Sequence, residues 1–527
     1  MSAPRHDEKI TATSVSRRRF LEDAVAAAAA GSLLSASASV AADASGAQKG
    51  ASPGGLWIGT ASANITPDRP VPLTGNVTVR IAREVASPCT VNVLALESRD
   101  GERSLDQAIL VSCDLCVIRP GIQAGFRKHV AARLPGFDIN KLFLAATHTH
   151  ASPEILQDRY DEKDYEDAMQ PKEYVPWMYE RMAQAVVQAW ESRAPGAMGY
   201  GLSQAVVGHN RRVTYADGTA KMFGKTDDPQ FRHVEGYEDH AVHVLCFYDQ
   251  QQHLKAAAIA LAATAQAASG NKVSADYWHE VRQLLRQRYG EQLCVVGFCA
   301  PAGDQTPRVP FRKAAEARMD RLRGVSSSEE AGRRVANAFN DVVDLIAKDI
   351  RSNVPLVHQV QQLELPARII AETEYAAAKK ECAEIASHAK RTKSDKWYEH
   401  FYGLVVERYE AQQKGQWKTF PVEMHVLRLG DVAIATNPFE LFVDYGVQIQ
   451  ARSPAVQTML IQLASTGDKH AYYVPTPRAV ASGRTEGAPF SNYSATATHN
   501  MVGPEGAQVL VDRTVEAIKG LWGTTKK

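Results

Sequence analysis

The chain has 527 residues, of which 45% are hydrophobic and 23% are charged, proportions that are ordinary for a globular protein. Its 60 basic and 59 acidic side chains give a net charge of +1, so the sequence lacks the basic footprint that nucleic-acid binding normally leaves. No apolar run reaches the roughly 20 residues that a membrane-spanning helix requires. We therefore expect no nucleic-acid partner and no membrane span.

The first 42 residues predict an export signal. Arg17 and Arg18 precede the Ala-rich, weakly apolar run 24–40, which ends in small residues suited to a signal peptidase. This arrangement is typical of twin-arginine signals, although an Ala-rich surface helix after a chance arginine cluster would read similarly. We expect a periplasmic or secreted protein that is exported by the twin-arginine machinery, with a linker at 43–55.

The remaining chain alternates between two kinds of segment. Short apolar runs predict strands at 91–96, 108–112, 142–146, 242–248, 256–261, 294–298, 424–429 and 432–436. Amphipathic runs predict helices at 121–134, 174–192, 277–289 and 329–350, and a helical excursion at about 367–415 that packs on the outside. This pattern predicts an α/β fold with a layered mixed β-sheet core flanked by helices. We expect one large catalytic domain over 56–522.

Seven cysteines are spread along the chain, and two of them, Cys113 and Cys116, have Cys-x-x-Cys spacing. That spacing suits redox chemistry or half of a zinc site. No second pair of this kind accompanies it, which favours the other interpretation, small buried core residues. Because the count is odd, at least one thiol stays unpaired.

Two histidines, His148 and His150, follow the predicted strand 142–146 in the sequence Thr-His-Thr-His. Residues i and i+2 of an extended chain point the same way, so both imidazoles can face one cavity. Imidazole is a common zinc ligand. Two hydrogen-bonded loop histidines without a metal are the alternative.

Further polar residues follow other predicted strands, where active-site loops tend to lie. Arg211 could clamp a substrate oxygen, or belong to a solvated basic loop. Asp304 lies in a tight Gly-Asp turn, and the Thr306 hydroxyl beyond it could act as a nucleophile or a hydrogen-bond donor. Glu440 and Tyr473 lie in two later segments of this kind.

Taken together, these segments resemble the neutral/alkaline (non-lysosomal) ceramidase family. The similarity covers about residues 56–522, which correspond to the catalytic module of the family. The matching motifs occur in the family's order: Ala63-Asn64-Ile65-Thr66-Pro67, Thr147-His148-Thr149-His150-Ala151-Ser152-Pro153, Asn210-Arg211, Gly303-Asp304-Gln305-Thr306-Pro307, Pro438-Phe439-Glu440 and Tyr473-Val474-Pro475-Thr476.

The resemblance implies one zinc ion held by His148, Glu440, Tyr473 and a further downstream histidine. It implies that Arg211 contacts the substrate or transition state and that the Asp304–Thr306 turn takes part in catalysis. The implied activity is hydrolysis of a linear amide in a small-molecule or lipid-like substrate, as in sphingolipid metabolism. The zinc would polarise the acyl carbonyl and activate water.

The sequence departs from the family at two of these positions. Gln266 stands where the family has its downstream zinc-binding histidine, and Thr306 replaces a serine. We expect metal binding that is weaker than the family's, shifted to another divalent ion, or absent. His150 and Gln266 are candidate additional ligands. A nearby histidine could also restore the number of imidazole ligands, and the candidates are His240, His243 and His279. The alternative functions are hydrolysis of a different small-molecule or sugar-derived substrate on this scaffold, or non-catalytic binding after loss of the metal.

Overall fold

The computed structural model describes residues 54–465, 467–483 and 489–523. The predicted export signal, with Arg17 and Arg18, lies outside these residues, so its prediction stands as made. Within the described ranges, no helix combines the length and the apolar character that crossing a bilayer demands. The first strand begins at Gly54, at the end of the segment predicted as a linker.

The described chain alternates between strands and helices in the order that an α/β protein requires. In chain order the strands are β1 Gly54–Asn64, β2 Val71–Leu73, β3 Arg80–Ala82, β4 Thr90–Asp100, β5 Arg103–Cys113, β6 Leu142–Ala146, β7 Ala194–Gln204, β8 His209–Asn210, β9 Arg212–Tyr215, β10 Ala220–Met222, β11 Phe231–Val234, β12 Ala241–Asp249, β13 Leu254–Leu261, β14 Cys294–Cys299, β15 Gln305–Thr306, β16 Asn353–Val354, β17 Leu356–Pro366, β18 Thr419–Leu429, β19 Val432–Thr436, β20 Glu440–Leu441, β21 Gln457–Ile461 and β22 Tyr473–Val474. The α-helices are α1 Ile122–Val130, α2 Pro171–Glu191, α3 Tyr277–Tyr289, α4 Lys313–Arg323, α5 Ser327–Ile346, α6 Glu372–Ala386, α7 Asp395–Gln413, α8 Val443–Arg452, α9 Pro477–Ser482 and α10 Pro504–Leu521.

The main sheet has nine strands, in the order β14-β13-β12-β7-β1-β4-β5-β6, with β16 beside β1. Its two outer pairs, β13–β14 and β5–β6, are parallel, and the pairs between them are antiparallel. The predicted mixed sheet is therefore confirmed. Parallel pairs need a crossover connection, and here α1 connects β5 to β6 and α3 connects β13 to β14.

A second sheet, in the order β17-β18-β19-β21, packs face to face against the main one. One apolar layer joins the two sheets, and it includes Leu110, Phe143, Val296, Leu427 and Met459. Helices cover the outer faces, with α2, α3 and α5 on the main sheet and α8 and α10 on the second. Burial of apolar surface stabilises a fold by about 25 cal/mol per Å². The burial between these layers holds both sheets in a single large domain.

Several predicted elements agree closely with the structure, and the differences have local reasons. Strand β6 and helix α3 have the predicted bounds. Helix α5 begins at Ser327 because Ser326 and Glu329 form a reciprocal capping box that the apolar pattern did not reveal. Strand β7 was missed because its sequence is rich in glycine. These glycines are needed for packing, since a Cβ on Gly199 would lie 2.7 Å from Ile346 Cγ2 of α5.

Candidate metal centre

Parallel strand ends bring the first group of site residues together. In the β5–β6 pair, Cys113 lies opposite Ala146, so the loops that follow both strands leave the sheet side by side. The N–H of Thr147 donates to Cys113 O at 2.9 Å, and that of His148 donates to Leu115 O at 3.0 Å. This pairing of the two loops brings Cys116 next to His148.

The second sheet supplies the opposite side of the site in the same way. Strands β19 and β21 are parallel, and the short parallel pair β20–β22 beyond them sets Glu440 directly opposite Tyr473. The N–H of Gly303 donates to Leu441 O, which joins the loop after β14 to these strands. Residues more than 300 positions apart in the chain, such as His148 and Tyr473, therefore meet at one edge of two packed sheets.

The hydrogen bonds of both imidazoles leave one lone pair of each ring turned toward the other. Nδ1 of His148 lies 2.6 Å from Cys116 O, and Nδ1 of His150 lies 3.0 Å from Gly75 O. A carbonyl oxygen only accepts, so both Nδ1 atoms carry the proton. The two Nε2 atoms, 3.4 Å apart, then present lone pairs. Metal-binding histidines commonly donate their second N–H to a carbonyl in this manner.

A carboxylate oxygen completes this cluster of acceptors. Oε2 of Glu440 lies 3.4 Å from His148 Nε2, is buried, and has no hydrogen-bond donor among the described residues. Adjacent ligands in a tetrahedral zinc site with bonds of 2.0–2.1 Å lie about 3.3 Å apart, close to both 3.4 Å separations. Both separations from His148 Nε2 therefore suit a zinc-sized divalent cation, which would also satisfy the Glu440 oxygen that lacks a donor.

The electrostatics of the site favour a positive charge at the same point. Burial by itself lowers the pKa of His148, but the neighbouring Cys116 and Glu440 raise it to about 10. Burial raises the pKa of the Cys116 thiol, whereas His150 and His148 bring it down to about 5. The pKa of Glu440 is lowered, because His148 and Arg211 outweigh the effect of burial. The acidic side chains Cys116 and Glu440 therefore stabilise a positive charge at this point, either a proton on His148 or a metal ion.

Gln266 lies next to His150, in the region that the resemblance to the family implied. Its Nε2 donates to His150 Nε2 at 2.5 Å, so a metal ion at that nitrogen would replace this hydrogen bond, and its Oε1 accepts from the Thr264 hydroxyl. None of the three histidines considered as alternative ligands lines the cavity; these are His240, His243 and His279. His243 is bonded to Gln450, away from the site. Of the imidazoles weighed as substitutes, His150 is the one that the structure brings to His148.

Arg211 lies behind Tyr473 and Glu440. It is 2% exposed, and its Nη2 donates to Gly303 O at 2.8 Å and to the Tyr473 hydroxyl at 3.4 Å. The same atom is 3.9 Å from Glu440 Oε2. Arg211 is thus no solvated loop residue, and it can act on the site through Tyr473 and Glu440.

Asp304 and Thr306 are buried but do not line the cavity. The carboxylate of Asp304 accepts from Asn210 Nδ2 at 2.9 Å and from Val443 N at 3.0 Å. The Thr306 hydroxyl accepts from Arg308 N at 3.3 Å. Asp304 therefore ties neighbouring loops together, whereas Thr306 stabilises its own turn, and the structure does not bring either side chain to the acceptor cluster.

Cys116 is the site residue that sequence reasoning missed. Its side chain lines the cavity and forms a metal-competent group with His148 and His150. The Cys-x-x-Cys spacing was the available signal, but its other member, Cys113, is buried in β5 and bonded to Val111 O. All seven cysteines are free thiols, six of them buried.

The acceptor cluster lies in the wall of a cavity of ≈ 680 Å³, a size typical of small-molecule sites. Among the described residues, aromatic rings from several elements line it: Phe223, Trp397, Tyr398, Phe401, Tyr472, Tyr473 and Tyr493. Two carboxylates and five cationic side chains also line it: Asp276, Glu440, Arg80, Arg119, Arg159, Lys272 and Arg308. The cavity therefore combines apolar surface with a cationic wall.

The helical excursion also takes part in this cavity, a role that the expectation of packing on the outside did not include. It forms two helices, α6 and α7, whose Tyr375 and Tyr409 rings stack 4.3 Å apart. Phe401 of α7 stacks on His499 at 3.7 Å, and Trp397 lies 5.4 Å from the same ring. The expectation rested on the Ala- and Lys-rich sequence of α6 and overlooked the aromatic residues of α7.

Comparison with known proteins supports the fold on which this site is built. No protein-family model and no curated protein matches the chain. Among solved structures, the neutral ceramidase from Pseudomonas aeruginosa superposes with a TM-score of 0.59 at 16% identity, over 89% of this chain and 75% of that one. A ceramidase complexed with C2 gives a TM-score of 0.59 at 15% identity, over 90% and 77%. The chain therefore has a neutral-ceramidase-like fold.

Proposed function

We propose that this protein is a metal-dependent hydrolase of a linear amide or other acyl-type bond. The observation that carries the proposal is the meeting of His148 Nε2, His150 Nε2 and the donor-free Glu440 Oε2 in the wall of a cavity of substrate size. The ceramidase-like fold supports the same reaction class. The proposed ligands are His148, Glu440 and Tyr473, with His150 and Gln266 as additional candidates.

Zinc bound in such a site supplies a Lewis acid that polarises a carbonyl and activates water. The side chains around it have separate tasks. Cys116 O and Gly75 O hold the two imidazoles in the ligating tautomer. Arg211 holds Tyr473 and Glu440 in place, and its charge can stabilise negative charge that develops on a substrate oxygen.

We further propose that the protein works outside the cytoplasm after twin-arginine export. The arginine pair and the weakly apolar run after it support this. Twin-arginine substrates cross the membrane folded, which suits a protein whose metal is bound before export.

The test combines metal analysis with a screen of N-acyl substrates on the purified full chain. We expect about one zinc per chain and amide hydrolysis that is lost on chelation and restored by zinc. Glu440→Gln should lower metal content and activity together. The matched control, Glu364→Gln, changes an exposed carboxylate on β17 and should change neither. A chain that binds no metal yet hydrolyses amides would contradict the proposal, and so would a loaded chain without activity on any acyl substrate.

A second candidate, hydrolysis of a different small-molecule or sugar-derived substrate, is favoured by the charge of the cavity. Arg80, Arg159 and Arg308 line it and form no ion pair with a carboxylate in the described part of the chain. A neutral lipid amide leaves these charges unused, whereas a substrate with an anionic group would pair with them. We expect Arg159→Gln to reduce kcat/KM for a carboxylate-bearing amide and to leave that for a neutral amide unchanged. An equal loss of kcat/KM for the two amides would favour the neutral substrate.

A further inference from the structure

Cys116 is a buried thiol beside the acceptor cluster, and the proposed ligand set does not use it. It is 6% exposed and lines the cavity. Its sulfur and one nitrogen from each of His148 and His150 all lie within 4.8 Å of one another. Sγ lies 4.0 Å from His148 Nδ1, the nitrogen that bonds Cys116 O, so the thiol is packed against this imidazole ring.

Two further observations indicate that this thiol faces a ligand position. The first is Glu440 Oε2, a buried carboxylate oxygen without a donor that lies 3.4 Å from His148 Nε2. The second is the carbonyl-fixed tautomer of both imidazoles, which turns their lone pairs toward the same region. Cys113, three residues earlier, has no such setting, because its sulfur bonds Val111 O inside a strand.

The chemistry of the donors makes the thiol the better partner for zinc. A site that relies on Gln266 offers zinc an amide in place of an imidazole. Zinc binds thiolate sulfur and imidazole nitrogen more readily than an amide oxygen, which suits harder ions. A sulfur and a nitrogen bound to one tetrahedral zinc lie about 3.5 Å apart, so from separations within 4.8 Å a shift of Sγ by about 1.3 Å or less is enough.

We propose that Cys116 is a thiolate ligand of the metal at this site and compensates for the imidazole that Gln266 lacks. This inference rests on the proposed function, since it requires that the cavity binds a metal. Binding forms a metal–sulfur bond, and the one proton that Cys116 and His148 hold between them is released to solvent. No oxidant or other reactant is needed.

X-ray absorption at the zinc edge of the zinc-loaded wild-type chain tests the inference without any variant. We expect a sulfur contribution at about 2.3 Å beside nitrogen and oxygen at about 2.0–2.2 Å. The cobalt-loaded chain should show a near-ultraviolet thiolate-to-cobalt charge-transfer band. A metal-loaded chain that lacks both signals overturns the inference and leaves the metal-dependent function standing. A chain that binds neither metal overturns both.

Two variants then assign the sulfur to one cysteine. Cys116→Ser should remove the sulfur contribution and the cobalt band, and weaken zinc binding by more than about tenfold, since changes beyond the ligands alone cost about 10–100-fold. The matched control is Cys382→Ser, a half-buried cysteine of α6 that does not line the cavity, and it should keep both signals. A sulfur signal that survives in Cys116→Ser would overturn the assignment.

Discussion

Replacing Arg282 by methionine should destabilise the protein by about 3–5 kcal/mol. Arg282 is 3% exposed and Asp114 is fully buried. Two guanidinium nitrogens donate to the two carboxylate oxygens at 2.7 and 2.9 Å. Two unit charges 4 Å apart attract by about 4 kcal/mol at an effective dielectric constant of about 20. The variant loses this attraction and leaves a buried carboxylate without its cation.

The same change should also weaken metal binding, because Asp114 supports the histidine loop. Its carboxylate accepts from Thr90 N, from Thr90 Oγ1 and from the hydroxyl of Thr147, the residue before His148. A buried carboxylate without its arginine is expected to admit water or to shift its position. Either change disturbs these bonds and the position of His148.

Urea unfolding followed by circular dichroism measures the free energy of unfolding of the wild type and each variant. The control, Arg288→Met, removes an exposed arginine of the same helix and should stay within about 0.5 kcal/mol of the wild type. The double variant Arg282→Met/Asp114→Leu should recover part of the loss, because no unpaired charge remains buried. A loss below about 1 kcal/mol in Arg282→Met would refute the electrostatic argument.

Three further changes test separate parts of the proposals. Gln266→His should raise zinc affinity in a calorimetric titration, since it adds an imidazole beside His150; equal, tight binding by both proteins would mean that Gln266 is not at the metal. Thr306→Val should reduce turnover less than about tenfold, because the hydroxyl bonds backbone outside the cavity; general acid–base or nucleophilic roles predict about 100-fold or more. Replacing Arg17 and Arg18 together by lysine should leave the precursor in the cytoplasm, and unchanged export in cell fractionation would contradict the signal prediction.

The sequence by itself determined the local elements and the chemistry of several candidate residues. Hydrophobic periodicity is a local property, so β6 and α3 could be predicted with their bounds. Motif order was enough to select His148, Glu440 and Tyr473, which line one cavity. The same local reasoning failed for β7. Its glycines are required by close packing against α5, and they leave no strand pattern in the sequence.

The tertiary structure alone decided which of these residues face one another. Thr306 and Cys116 each had a plausible role from spacing, yet the hydroxyl faces backbone while the thiol lies beside two imidazoles. The aromatic face of α7 likewise acquires a role only where it meets His499. The physical reason is that a ligand cluster depends on distances between loops far apart in the chain. Those distances are set by the register of parallel strands and by the packing of two sheets, which local sequence patterns do not encode.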